Sequence, residues 1–288
     1  MRRHAIIRRR VQAQAATKII TLHQLFNEWY PNHSKGLSNS AKMSYSNALR
    51  YIHPILHIPI HTIRFSDLQG IIDSMHAKGL SYSSCKKVRT LLNQLFNYAI
   101  INDYTNKNYA PHLNLGTNTP TIKRLVFTRQ QINKLWRMDY TTAHMILILL
   151  YTGLRIGELL NLRRQDINRK SMYLIVSKSK TAAGQGRLIP IHHRIWPLLD
   201  KFYNTADDYL FSTSYTSFRK QFVRLMKSMN SKHTIHDTRH TFASLLDTAS
   251  ASPTAVRSLL GHKNGDITMR VYTHKTIREL RKAVEMLK

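Results

Sequence analysis

TGLRIGELLNL, residues 152–162, interrupts an apolar run with a glycine and sets an arginine directly after the break. Met145 to Tyr151 reads as a buried helix that Gly153 terminates, since glycine turns the backbone where other residues resist. A second helix, expected from Arg155 to Leu162, would then begin with Arg155 at or near its N-terminus, where free backbone N–H groups also favour an anion. Glu158 lies three residues on, on the same face. Met alone, an arginine and a glutamate at a helix start are an ordinary solvated surface. Four strings further along the chain make them part of a set.

Residues 177–191 read SKSKTAAGQGRLIPI. Short strand patterns, Met172 to Val176 and Arg187 to Ile191, flank a turn holding Gly184 and Gly186, which predicts a β-hairpin with a mobile tip. Lys178 and Lys180 both stand at or near that tip. Residues 236–243 read HDTRHTFA, with His236 and Arg239 three apart on one side of a helix. His236 and His240 also have the i, i+4 spacing of a zinc pair, but Asp237 stands where such motifs carry glutamate and no partner motif follows, so no metal is expected. In LLGHK, Gly261 ends the helix that begins at Pro253 and leaves His262 in the turn. In MRVYTH, Tyr272 follows ten residues later, on a short helix. Arginines, a lysine and histidines can clamp a phosphate from several sides, and a tyrosine hydroxyl beside it can attack it.

Composition points the same way without the motifs. The 288 residues include 44 Lys+Arg against 15 Asp+Glu, a net charge of +29, far beyond what a small neutral substrate calls for. Every part of the chain is basic, which suits a protein that surrounds a polyanion. A membrane surface is the rival partner, but no apolar run approaches the roughly 18 residues a span needs. The N-terminal MRRHAIIRRR has no apolar stretch of signal-peptide length behind it. A cytoplasmic, DNA-associated protein is expected. The single cysteine, Cys85, excludes an intrachain disulfide and a cysteine-based zinc site.

The fold is expected to be mostly α with a small β-sheet, in two domains. Thr21, Ser38 or Ser40, Ser66 with Asp67, and Ser81 to Ser84 each precede an apolar stripe of helical period, as capping requires. The first of these helices is expected to close at Pro31 and the third at Gly79. Residues 102–123 are rich in Asn, Thr, Pro and Gly and carry no period. The domain limits expected are a basic tail over 1–18, a helical domain over 19–105, a linker over 106–123 and a mainly helical α/β domain over 124–288. The last ends in a helix over 276–287, whose stripe Ile277, Leu280, Val284 and Leu287 needs a surface to pack on.

All five strings, in this order after a small helical domain, resemble the tyrosine recombinases, or phage integrase family. The resemblance spans about residues 19 to 288. It implies a core-binding domain followed by a catalytic domain that cuts and rejoins DNA through a 3′-phosphotyrosine bond. It assigns catalytic roles to Arg155, Lys180, His236, Arg239, His262 and Tyr272, with Glu158 supporting Arg155. Lys180 is preferred to Lys178 as the proton donor to the leaving oxygen, with Lys178 kept as a competitor. Lys42, Arg50, Lys86, Lys87, Arg89, Lys178 and Arg187 are the DNA-contacting candidates. Neither cofactor nor metal is implied. The implied partners are double-stranded DNA carrying attachment sites, further copies of the chain (a tetramer on DNA, a monomer in solution) and accessory DNA-bending or directionality factors. The C-terminal helix is expected to pack on its own catalytic domain or, as the resemblance favours, to dock on a neighbouring protomer. Two other readings share the basic character: a topoisomerase that relaxes DNA by the same chemistry, and a DNA-binding regulator without chemistry.

Overall fold

The computed structural model describes residues 19–118, 124–179, 184–205, 207–261 and 277–287. The chain divides into two compact units, Met1–Thr121 and Ile122–Lys288.

The first unit is helical. Thr21 and Gln24 form a capping box that starts α1, Leu22–His33. Ser38 caps α2, Asn39–Tyr51. The Asp67 carboxylate accepts the Arg64 N–H at 2.8 Å and starts α3, Phe65–Ala77. Ser81 caps α4, Tyr82–Ile101. The long α4 is the centre: Cys85, Val88, Leu91, Leu92, Leu95 and Phe96 are buried, and α1 and α2 pack on it. Two expectations are corrected. Pro31 does not close α1, which runs on to His33. Its missing N–H falls in the last turn, where His33 stacks on Trp29 at 4.1 Å and the Ser34 N–H reaches the Tyr30 carbonyl. The first half of the expected linker over 106–123 is also not a tether. Ala110, Leu113 and Leu115 are buried in the helical core, and Gln69 on α3 bonds the Asn114 backbone through both ends of its amide.

The second unit is mixed. Thr128 and Gln131 cap α5, Arg129–Trp136. The hydrophobic α6, Thr141–Thr152, is buried from Thr142 to Thr152 and is covered by α5, by α8 (Trp196–Thr205), by α9 (Tyr215–Ser228) and by α10 (Ile235–Thr248). The helix expected from Arg155 to Leu162 is a single turn, α7, Ile156–Leu159. The chain then leaves for β1, Ile167–Asn168, a strand too short to show period-2 alternation. With β2 (Tyr173–Ile175) and β3 (Leu188–Pro190) it makes an antiparallel sheet in the order β1-β2-β3, with Leu174 opposite Ile189.

After α11, Pro253–Leu260, the last described element is α12, Ile277–Glu285. Its apolar stripe was expected to dock on a neighbouring protomer. It packs on its own unit instead, with Leu280, Ala283, Val284 and Leu287 buried in the same core as α6. Glu285 takes the His193 N–H at 3.2 Å, and Arg281 donates to the Ser171 carbonyl. A stripe of this width is satisfied by the nearest apolar surface, and β3 with α11 supplies one.

Candidate active site

Gly153 ends α6 in the left-handed conformation, φ +65°. A side chain there would run into the Phe242 ring of α10, so glycine is required by the space as well as by the backbone. The turn delivers Arg155 as the N-cap of α7. Its backbone N–H donates to Glu158 Oε2 at 2.8 Å and its Nη1 to Oε1 at 2.7 Å. With one turn of helix behind it, Arg155 owes its place to this carboxylate more than to a helix dipole.

Glu158 is the hub. Its side chain is 2 % exposed, and it also accepts Arg187 Nη2 at 2.6 Å, Arg187 Nη1 at 3.1 Å and Ser179 Oγ at 2.7 Å. Burial works to raise its pKa, but the hydrogen bonds and charge of Arg187, with the Arg155 N–H and the Ser179 hydroxyl, hold it at about 2.

Arg239 comes from α10 and is buried. Its Nη1 donates to the Gly153 carbonyl at 2.6 Å, and its Nη2 to the Leu260 carbonyl at the end of α11. Burial first, then the charges of Arg155 and Arg187, bring this guanidinium down to about 9, so it stays charged at neutral pH. Glu158 is the carboxylate that pulls the other way. Three guanidiniums around one carboxylate leave positive charge uncompensated in a low-dielectric setting, which is the electrostatic condition for holding an anion. A cleft of about 420 Å³ opens beside them, lined by Arg155, Arg239, His236, His233, Tyr215 and Arg219 among others.

His236 stands exposed at this cleft. Burial of part of the ring, then the charges of Arg124 and Arg239, push its imidazole below the ordinary value. His240 meets it edge-on at 4.8 Å and bonds Arg124. Asp237 accepts the Thr234 N–H at 2.6 Å and caps α10, so it serves the helix.

The structure thus brings Arg155, Glu158, His236 and Arg239 together. Lys180, His262 and Tyr272 lie outside the described residues. Lys178 is exposed. Lys42 and Arg50 are exposed on α2, and Lys86 and Lys87 on α4, with Arg89 half-buried beside them. Lys87 edges a shallow groove of about 250 Å³ whose other wall is Ala41, Ser44, Tyr45 and Ala48 of α2.

Arg187, expected among the DNA contacts, is corrected. It is buried, with Nη1 and Nη2 on Glu158, Nη1 also on the Gly184 carbonyl at 2.8 Å and Nε on the Leu259 carbonyl at 3.0 Å. The signal was present in the alternation: Ile189 is buried and Leu188 is exposed, so Arg187 falls on the inward face. Arg124, which charges the surroundings of His236, carried no motif.

One further group has the donor types of a metal site. His192, His193 and Glu285 place ligand atoms within 4.8 Å of one another. The two rings stack at 4.3 Å and 28°, however, so their lone pairs do not converge on one point. Both His192 nitrogens are committed as well, Nδ1 to the Arg194 N–H and Nε2 to the Leu287 carbonyl. The group is a latch on α12.

Residues 126–279 match the profile of the Phage integrase family, and residues 22–115 that of the Phage integrase central domain. The tyrosine recombinase XerA of Pyrococcus furiosus is 29% identical over 76% of this chain and 79% of its own length. The tyrosine recombinase XerC of Staphylococcus saprophyticus is 26% identical over 86% and 90%. The fold is shared with a Tn1549 transposon integrase solved with circular intermediate DNA (TM-score 0.73, 24% identity, 91% of this chain and 98% of that one). It is shared too with a lambda integrase dimer solved on a core site (TM-score 0.76, 20% identity, 91% and 80%). One profile takes in the cluster around Glu158 and covers more than half of the sequence, the other covers the helical unit, and the chain belongs to the phage integrase family, the tyrosine recombinases.

Proposed function

We propose that this site-specific recombinase opens a DNA strand by attack of the Tyr272 hydroxyl on a phosphodiester whose nonbridging oxygens are gripped by Arg155 and Arg239. The observation that carries the reading is that Arg155 and Arg187 bond the single carboxylate of Glu158 while the buried Arg239 is tied to the Gly153 and Leu260 carbonyls and feels the charge of all three, with Arg155 and Arg239 lining one cleft. A phosphodiester repels nucleophiles by its own charge, and fixed guanidiniums offset the charge that grows in the pentacoordinate transition state. His236, at the cleft edge, and His262 add hydrogen bonds to the same oxygens. The Tyr272 hydroxyl gives its proton to His236 and its oxygen bonds to phosphorus, the bond from phosphorus to the 5′ oxygen breaks, and Lys180 gives that oxygen its proton. The product is a 3′-phosphotyrosine and a free 5′-hydroxyl. The phosphotyrosine keeps the bond energy, so a second strand's 5′-hydroxyl can reverse the step without ATP, and the clamp itself asks for no metal.

The reaction class is integration or excision of a mobile element or phage genome. Four protomers would pair two attachment sites, with Lys42, Arg50, Lys86, Lys87 and Arg89 of the helical unit on the phosphate backbone.

The test is incubation with a nicked attachment-site substrate from which the cleaved strand escapes, read on a denaturing gel. Wild type should accumulate a covalent protein–DNA adduct in excess EDTA. Tyr272→Phe should bind the same DNA and give none. A normal adduct from Tyr272→Phe removes that residue from the role, and binding with no adduct from wild type leaves a regulator without chemistry.

A further inference from the structure

Arg187 does not line the cleft, yet its hydrogen bonds end on three different segments. Through Glu158 it meets the turn that carries Arg155. Through the Gly184 carbonyl it meets the hairpin, whose other arm is tied to the same carboxylate by Ser179. Through the Leu259 carbonyl it meets the end of α11, one residue from the carbonyl that takes Arg239. The two Glu158 oxygens together receive five donors: the Arg155 N–H, Arg155 Nη1, Ser179 Oγ and both Arg187 Nη atoms. A carboxylate so held cannot rotate, and Arg155, attached to it at two points, cannot swing away from the cleft it lines.

We propose that Arg187 is a positioning residue for strand cleavage: it locks Glu158, and thereby fixes the Arg155 guanidinium against the scissile phosphate while joining the hairpin and the end of α11 to the same point. It touches no DNA itself. This rests on the proposed role of Arg155. Lysine in its place keeps the charge but loses the planar fork that serves Glu158 with two nitrogens while a third reaches Leu259.

The experiment compares wild type and Arg187→Lys on two nicked substrates, one with the ordinary scissile phosphodiester and one with a neutral methylphosphonate there. The methylphosphonate lacks the charge that the guanidiniums offset, so it tolerates a displaced Arg155. Half-site binding and melting temperature are measured alongside. On the phosphodiester, Arg187→Lys should cleave about a hundredfold more slowly than wild type, the scale expected of a clamp moved by an ångström, with half-site affinity unchanged. On the methylphosphonate its deficit against wild type should shrink to less than about tenfold, since the charge the misplaced clamp failed to meet is gone. An equal deficit on both substrates, or none on either, overturns the proposal. If Arg187→Lys fails to fold, the Glu158→Gln/Arg187→Gln pair, which replaces the buried charges by two amides, is held to the same comparison. Failure of wild type to form an adduct on the phosphodiester overturns the catalytic reading itself, a separate outcome.

Discussion

Two carboxylates flank strand β3, and the chain holds them in opposite ways. Glu158, at the Arg187 end, is 2 % exposed and enclosed by two guanidiniums, a hydroxyl and a backbone N–H. Glu285, at the His192 end, is 34 % exposed and faces two histidines. The first grip is made by guanidiniums, a hydroxyl and a backbone N–H, and the second by two imidazoles. The rigid grip lies beside the cleft proposed to take the phosphate, and the exposed one holds the terminal helix α12.

The largest effect should come from breaking the first grip. Glu158→Ala strands the buried Arg187 without its carboxylate and should cost about 3–5 kcal/mol, read as a fall in the denaturant midpoint. A loss below about 1 kcal/mol, the worth of a solvated pair, would put Glu158 in the same class as Glu285 and dissolve the contrast. Acid is the next lever. The Glu158 carboxyl is lowered from 4.5 to about 2, so its contribution is fully present above the higher value and is lost as pH falls from there towards about 2. That loss should be on the order of 3 kcal/mol in the wild type and absent from Glu158→Gln, measured as the gap between their acid unfolding curves.

The smallest effect belongs to the latch. Glu285→Gln should cost less than about 1 kcal/mol, because Glu285 is a third exposed and His193, its nearer partner, lies mostly in water. His192 makes the latch pH-dependent. It is wholly buried, and burial first, against the pull of Glu285, holds its imidazole below the ordinary 6.5. The neutral ring accepts the Arg194 N–H at Nδ1 and donates from Nε2 to the Leu287 carbonyl. A second proton would set N–H against N–H. The anchoring is therefore intact above 6.5 and weakens as pH falls below it. Amide exchange over 277–287, corrected for the intrinsic rate, should be faster at about pH 5.5 than at about pH 7.5. Equal protection at both would remove His192 from the latch.

Much of the fold was legible because local rules and the tertiary structure agree. The Thr21 and Thr128 capping boxes, the apolar run of α6 and the glycine at 153 act within a turn of themselves. The misses are places where distant contacts decide. The one-turn α7 stops where the chain must leave for β1, and no residue in 156–162 announces it. Residues 110–115 look like linker by composition, yet they bury Ala110, Leu113 and Leu115 because α3 and α4 leave a surface there. Arg155, His236 and Arg239 were found by spacing within their own strings and do converge, since each string sits on one short element. Arg187 reads as a surface charge because its carboxylate is 29 residues away, although its strand face is countable. Whether α12 covers its own unit or another's is invisible in a stripe that fits either.

The reach of Arg187 also has a consequence in time. Its partners lie 29 residues back in Glu158 and 72 residues ahead in Leu259, so the junction closes only after the hairpin has formed and α11 has arrived. Until then the guanidinium and the carboxylate are better left in water, and a folding nucleus gains nothing by dehydrating them early. The junction should therefore be among the last contacts made and the first given up. Arg187→Lys would then leave the refolding rate of the second unit close to wild type and speed its unfolding, a φ-value near zero at a residue that ties distant parts of the unit together.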